Sequence, residues 1–437
     1  MTATDVQVSS TATLSAPEIA RAKGVNPLDY LTERGYVQDV TSAKHLRQSF
    51  EDGVVTAYVG FDPTARSLHI GHMMGIMALA NLQLFGHRPI ALGGGGTTMV
   101  GDPTGRTAAR PVMTLDDITS NLANILTQFD RYIDFEGGRF GENPAALLLN
   151  NADWLLELKY IEFLRDIGRH FSVNEMLAVE SYKQRIETTG LNFVEFNYRL
   201  VQAYDFLHLF RTHDCVMQMG GSDQWGNITA GVDLVRRVMS KEAVGLVWPL
   251  LTTASGQKMG KSAGNSVWLD GSMTTPYDFY QYWVNVDDAD VAKLLRLYTF
   301  LTSEQIQDLT NVEGAALREA KRTLANEVTT IVHGEAAAAE AEAASQALFG
   351  GGARSIDDPT IPTTTIPAPD VEGLTVADAF VRAGLSSSRG DARRLAQQGG
   401  LSINDERIDN VDTVIDLSSC SALLRAGKKR YMRLTVE

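Results

Sequence analysis

Residues 54–72 read Val-Val-Thr-Ala-Tyr-Val-Gly-Phe-Asp-Pro-Thr-Ala-Arg-Ser-Leu-His-Ile-Gly-His. The first seven are apolar and rich in β-branched residues, which predicts a short buried strand. Phe61, Asp62, Pro63 and Thr64 supply a turn, and residues 71–85 have the length and apolar content of a helix. A second strand is expected at 88–93, running into four glycines at 93–96. Strand, helix, strand implies a parallel sheet with a right-handed crossover. A helix is expected near 114–130. Residues 145–200 are helix-rich, with Trp154 and an apolar periodicity over 163–171. The strand–helix pattern then resumes with 215–219, a helix from about 223, and 246–252. The reading is an α/β, Rossmann-like parallel-sheet catalytic domain over 26–286, interrupted by a helical insertion at about 145–200.

The flanks differ in composition. Residues 1–25 are polar and small, without the basic start and apolar run of a secretory signal, and are expected to be a disordered tail. Residues 287–349 look wholly helical. The Gly/Pro/Thr-rich stretch 350–371 lacks hydrophobic periodicity and is expected to be a flexible linker. From 372 to 437 a small α+β unit is expected, with helices at 377–383 and 389–397, a strand and turn from 401, and a closing strand at 431–436.

The 437 residues carry a net charge of −14, which argues against a generally adhesive nucleic-acid binder. That charge is uneven: 372–437 holds ten Lys/Arg against nine Asp/Glu, so the excess acid lies upstream. No run reaches the length of a membrane span. The two cysteines, Cys215 and Cys420, are far apart and suggest a reduced, cytoplasmic setting rather than a disulfide framework. No Cys/His cluster has zinc spacing.

His69 and His72 open the helix that follows the Asp-Pro-Thr turn. A helix N-terminus offers unpaired amides and a positive dipole end to a polyanion. Thr64 and the two imidazoles can donate hydrogen bonds to phosphate oxygens, and Gly71 leaves room for an adenine against the backbone. Alone, the pair could equally be a cap and a surface histidine. Some two hundred residues later Lys258-Met-Gly-Lys261-Ser262 lies between small turn-forming residues. Two lysines on a loop are ordinarily just solvated, but together with the histidine motif they point to phosphate.

The run 93–106 is not a Walker loop, since it lacks the Gly-Lys-Ser/Thr ending. Asp102 lies beside it, where open α/β sheets bind ligands, and could hold an ammonium group. Arg106 and Arg110 are on a segment able to reach pyrophosphate. Tyr198, Gln202 and Asp205 share one face of a helix that is apolar around much of its circumference, where polar groups need partners. Gly220 to Asn227, including Gly221, Asp223 and Gln224, reads as a strand-to-helix turn suited to ribose hydroxyls and a headgroup, or as a plain N-capping segment.

The His-x-Gly-His and Lys-x-x-Lys-Ser motifs, in this order and spacing, resemble those of class I aminoacyl-tRNA synthetases. The strings Tyr58-Val-Gly-Phe-Asp-Pro-Thr64, Gly86-His-Arg-Pro-Ile-Ala91, His170-Phe-Ser-Val-Asn174, Gln202-Ala-Tyr-Asp205 and Gly220-Gly-Ser-Asp-Gln-Trp-Gly-Asn227 narrow this to the bacterial tyrosyl-tRNA synthetase family, over about 25–437. The resemblance implies activation of L-tyrosine by ATP, with Mg²⁺ carried by the nucleotide, and transfer of the tyrosyl group to tyrosine tRNA.

It also implies roles for individual residues. Tyr58 and Asp205 would bind the substrate phenol. Asp102, Tyr198 and Gln202 would hold its ammonium group, with Gln224 nearby. Thr64, His69, His72, Lys258, Lys261 and Ser262 would act on the phosphates, with Arg106 and Arg110. Gly60, Asp62, Gly71, Gly221, Asp223 and Met259 would contact ATP. The residues 287–349 would form a helical domain on the anticodon side. The last unit resembles a ribosomal-protein-like RNA-binding fold, with Arg389, Arg393, Arg394, Lys428, Lys429 and Arg430 facing RNA. The helical insertion would form a homodimer interface. Gly260, Arg106 and Gly75 depart from residues common in the family, as does Asn404-Asp405. Two rival readings are a tyrosine-activating paralogue serving a biosynthetic pathway and a structured-RNA-binding protein with a vestigial site.

Overall fold

The computed structural model describes residues 14–104, 113–254, 256, 259–262, 265–312, 314–349, 362–371, 373–404, 406–415, 417, 421–427 and 430–436. The chain divides between Gly334 and Glu335 into two compact units.

The first unit is built on a six-stranded sheet. Its strands are β1 (Asp39–Val40), β2 (Thr56–Phe61), β3 (Arg88–Gly93), β4 (Leu147–Asn150), β5 (Cys215–Gly221) and β6 (Val244–Trp248), in the spatial order β1-β6-β5-β2-β3-β4. Every pairing is parallel except that of the short edge strand β1 with β6. From central β2 the chain builds outward through β3 and β4, then returns to the other side with β5 and β6. The order therefore reverses between β2 and β5, and the carboxyl ends of such neighbouring strands splay apart into a crevice.

The helix Ile70–Leu84 follows β2 and is buried along almost its whole length. It packs on β2 and β3 on one side and on the helices Ala16–Ala22 and Val291–Tyr298 on the other, which is why it shows no polar face. Its buried Gln83 is fully engaged: Nε2 donates to the carbonyls of Asp134 (2.6 Å) and Pro144 (3.0 Å), and Oε1 accepts from Asp134 N at 2.8 Å. The helices Phe193–His213 and Trp225–Met239 pack on each other, and both contribute to a core around Phe206, Leu207, Leu234 and Val235. Cys215 is buried in this core, its thiol donating to Met217 O at 3.5 Å.

The second unit carries a five-stranded sheet of β9 (Thr363–Ile366), β10 (Leu401–Ile403), β11 (Glu406–Arg407), β12 (Ser421–Ala426) and β13 (Arg430–Val436), ordered β11-β10-β12-β13-β9. The helices Val376–Arg382 and Arg389–Gln397 cover it over a core centred on Phe380, Ala392, Leu424 and Leu434.

Several boundaries differ from the sequence reading. Part of the expected tail is a helix, Ala16–Ala22, begun by a capping box in which Ser15 N and Oγ both donate to the Glu18 carboxylate. The signal was Ser-x-x-Glu with a proline in the first turn. Residues 1–13 lie outside the described residues. Within the expected linker, Thr363–Ile366 is strand β9, parallel to β13. Three threonines and an isoleucine suit an edge strand even without apolar alternation. The alanine-rich helix Glu335–Phe349 groups with the second unit rather than with the helices before it.

Candidate active site

A cavity of about 630 Å³ opens at the carboxyl ends of β2 and β5. It is lined by Tyr58, Gly60, Asp62 and Thr64 from β2 and its turn, and by His69, Gly71 and His72 from the helix start. Asp102 comes from the segment after β3, and Tyr198, Gln202 and Asp205 from the long helix. Gly221 ends β5, Asp223 and Gln224 follow it, and Met259 lies on the lysine loop. Segments spread over two hundred residues thus converge on one crevice.

The helix start is locked by its own histidines. His69 is the N-cap; its Nδ1 accepts from Gly71 N at 3.1 Å, and His72 Nδ1 accepts from His69 N at 3.3 Å. With both Nδ1 atoms serving as acceptors, the neutral rings carry their proton on Nε2. Gly71 has a local reason beyond ligand access: a Cβ there would sit 2.9 Å from His69 Cε1.

The lysine loop is tied to this helix start through the backbone. Val267 N donates to Gly260 O (3.0 Å), Ile70 N to Val267 O (3.1 Å), and Leu269 N to Leu68 O (2.9 Å). Gly260 has φ +103, a left-handed value that suits glycine where serine would be strained. Lys261–Ser262 forms β7, paired with β8 (Asn265–Ser266), the side chains of Lys261, Ser262 and Asn265 lying outside the description. Lys258, Arg106 and Arg110 lie outside the described residues.

Within the cavity Asp62 accepts from Thr97 Oγ1 (2.7 Å) and Tyr198 Oη (3.1 Å). Asp102 accepts from Gln224 Nε2 (2.7 Å) and Thr104 N (2.9 Å), and Asn227 holds Gln224 from behind at 3.1 Å. Gln224, the residue before the helix Trp225–Met239, makes no side-chain cap for it, its amide being engaged with Asp102 and Asn227 instead.

Tyr58 and Asp205 form the buried end. The Tyr58 hydroxyl has no hydrogen-bond partner in the protein, and burial, with Asp205 nearby, pushes its pKa well above the usual phenol value. Asp205 accepts from Trp154 Nε1 (2.8 Å) and Asn151 Nδ2 (2.9 Å). Burial pushes its pKa up to about 8, these two donors opposing the rise and Asp62 adding to it. Asn151 and Trp154 escaped the sequence reading as site residues; Trp154 was noted only as part of the helix-rich stretch 145–200. The available signal was the position of Asn150-Asn151 at the carboxyl end of β4.

In the second unit Arg389, Arg393 and Arg394 lie on the helix Arg389–Gln397 and are exposed, each paired with an aspartate: Asp378, Asp412 (2.7 Å) and Asp391 (2.7 Å) respectively. Arg430 is exposed at the start of β13. Lys428 and Lys429 lie outside the described residues.

A crevice at the switch point of a parallel sheet, opened by a histidine-capped helix and bordered by a lysine loop, is the arrangement of the tRNA synthetases class I (W and Y), whose family model matches residues 51–350. A second model, the tyrosine–tRNA ligase SYY-like C-terminal domain, matches 358–434. The tyrosine–tRNA ligase of Desulfosudis oleivorans is 51% identical over 94% of this chain and 98% of its own length. That of Clostridium beijerinckii is 48% identical over 94% and 100%. Among solved structures, a C-terminally truncated mitochondrial tyrosyl-tRNA synthetase from Aspergillus nidulans is similar with TM-score 0.68 and 31% identity, over 76% of this chain and 97% of that one. The chain belongs to the tyrosine–tRNA ligase family of class I tRNA synthetases.

Proposed function

We propose that this chain activates L-tyrosine with MgATP and passes the tyrosyl group to the 3′-terminal ribose of tyrosine tRNA. The observation that carries the reading is the buried Tyr58 hydroxyl, unpartnered in the protein and within the electrostatic reach of Asp205. A phenol O–H donating to Asp205 and accepting from Tyr58 completes both groups. Phenylalanine would leave both unsatisfied, an effect for which tyrosyl-tRNA synthetases are the standard illustration. Asp102, Tyr198, Gln202 and Gln224 would surround the ammonium group. That points the substrate carboxylate toward the histidine-capped helix.

In the first step a carboxylate oxygen of tyrosine attacks the α-phosphorus of ATP. The bond to the β-phosphate oxygen breaks, and pyrophosphate leaves with its electron pair. No protein nucleophile is needed; the His69 and His72 Nε2–H groups, Thr64, and Lys258, Lys261 and Ser262 of the loop would meet the charge developing on the phosphates, with Arg106 and Arg110 reaching pyrophosphate. Gly60, Asp62, Gly71, Gly221, Asp223 and Met259 would frame the nucleoside. In the second step a ribose hydroxyl oxygen attacks the tyrosyl carbonyl carbon, AMP leaves, and its phosphate takes the hydroxyl proton. Mg²⁺ enters as part of the nucleotide substrate, held largely by phosphate and water oxygens.

The second unit would grip tRNA through Arg389, Arg393, Arg394, Lys428, Lys429 and Arg430, with phosphates displacing the aspartate partners. The helical insertion exposes Ile161 (71%), Phe193 (66%) and Tyr160 (61%), which fits the face of a cytoplasmic homodimer. Among the described residues no helix is long and apolar enough to cross a membrane.

Tyrosine-dependent exchange of labelled pyrophosphate into ATP, without tRNA, tests the reading. Exchange that requires tyrosine and collapses in Asp205→Ala is expected. Folded wild-type protein that does not exchange overturns it.

A further inference from the structure

Two carboxylates in the cavity are joined by an unbroken hydrogen-bond chain. The Thr97 hydroxyl donates to Asp62 Oδ1 (2.7 Å) and accepts from Asn151 Nδ2 (3.0 Å). The same amide nitrogen donates to Asp205 Oδ2 at 2.9 Å. Asn151 Oδ1 is occupied by Gly96 N (2.8 Å) and Thr97 N (3.4 Å), which fixes the orientation of the amide. Thr97, Asn151 and Asp205 are all buried. Each hydrogen in the chain is used once: the hydroxyl has one, the amide two. Its polarity therefore cannot reverse without leaving a buried donor unpaired.

The backbone is shaped around this bridge. A Cβ on Gly94 would lie 2.1 Å from Asp62 Oδ1 and 2.6 Å from Thr97 Oγ1, so only glycine admits the contact. Asp62 is further fixed by Tyr198 Oη (3.1 Å), and Asp205 by Trp154 (2.8 Å).

We propose that Thr97 is a positioning residue for the reaction: its hydroxyl, through the Asn151 amide, couples Asp62 at the nucleotide end of the cavity to Asp205 at the phenol end. The proposal rests on the activity proposed above. Thr97 need touch neither substrate. It holds both carboxylates as acceptors in one geometry, so loosening one loosens the other.

Thr97→Val keeps the side-chain volume and removes the hydroxyl. The expected result in pyrophosphate exchange is a rise of about tenfold in the KM for tyrosine and about threefold in that for ATP, with Thr97→Ser returning both to near wild type. A residue that only supported the fold would lower the active fraction, seen in kcat, and leave both KM values in place. An unchanged tyrosine KM in Thr97→Val, or a serine variant that restores neither constant, overturns the proposal. If circular dichroism shows Thr97→Val unfolded, Thr97→Ala supplies the same comparison. Wild-type protein that fails to exchange removes the activity itself. Active wild type with an unaltered Thr97→Val tyrosine KM removes the coupling alone.

Discussion

The imidazoles of His69 and His72 stack with centroids 3.9 Å apart and planes 20° from parallel. Each uses Nδ1 to accept a backbone amide of the same helix turn, so one side chain both caps the helix and aims an Nε2–H group outward. Structural and chemical roles are thus carried by different atoms of one ring.

Replacing His72 with asparagine separates those roles, because an amide oxygen can stand near the Nδ1 position while nothing replaces Nε2. The expected outcome is a fall of about ten- to a hundredfold in exchange kcat. The melting temperature should move by no more than about 2 °C. A large loss of stability with kcat preserved would assign His72 to the cap alone.

For Tyr58→Phe the signs should oppose each other. Removing a buried hydroxyl without a protein partner relieves a desolvation cost, so the free protein should gain about 1 kcal/mol in denaturant unfolding. The same change deprives the substrate phenol of a donor. The KM for tyrosine should rise and discrimination against phenylalanine narrow. A variant that is less stable and discriminates as well as wild type would contradict both expectations.

His87 gives a pH-dependent signature. Burial, then the Arg21 charge, lowers its pKa from 6.5 to about 4, and its Nδ1 accepts from Val55 N at 3.2 Å. Between those values the unfolded chain takes up a proton that the folded chain resists. Stability from this group is complete above pH 6.5 and is lost as pH falls toward 4, on the order of 3 kcal/mol. Urea unfolding across pH 4–7 should show that slope in wild type and a flatter one in His87→Gln. Equal slopes would remove His87 as the cause.

Ser15 offers a test of the N-terminal helix. Ser15→Ala removes the hydroxyl of the capping box over a helix that hydrogen-bonds to the domain through Ala16 N and Phe300 O (2.9 Å). A loss of about 1 kcal/mol is expected if the helix unfolds with the rest of the unit. No loss would mean that it unfolds independently.

The alternation of strand and helix, the β-branched run at 54–60, and the paired phosphate motifs were legible because they depend on local periodicity and short-range composition. So were Tyr198, Gln202 and Asp205 as polar positions on an apolar helix and Asp102 beside the glycine loop, whereas Tyr58 was singled out only by the family resemblance; all five line the cavity. Harder to read were elements whose stability comes from a distant partner. β9 is held by parallel pairing with β13, some seventy residues on. The helix Ala16–Ala22 was hidden in a polar stretch where only the cap spoke for it.

Sequence by itself determined the fold class, through local periodicity and composition, and pointed to the family and the candidate site residues through motif strings that resemble that family's. Only the tertiary structure decided which atoms meet. It set the Nε2 direction of His69 and His72, brought Gly260 against the start of the helix Ile70–Leu84, and joined Asp62 to Asp205 through Thr97 and Asn151. The reason is physical: hydrogen-bond partners 35, 54 and 136 residues apart are chosen by how strands cross over and helices pack, which no local pattern encodes.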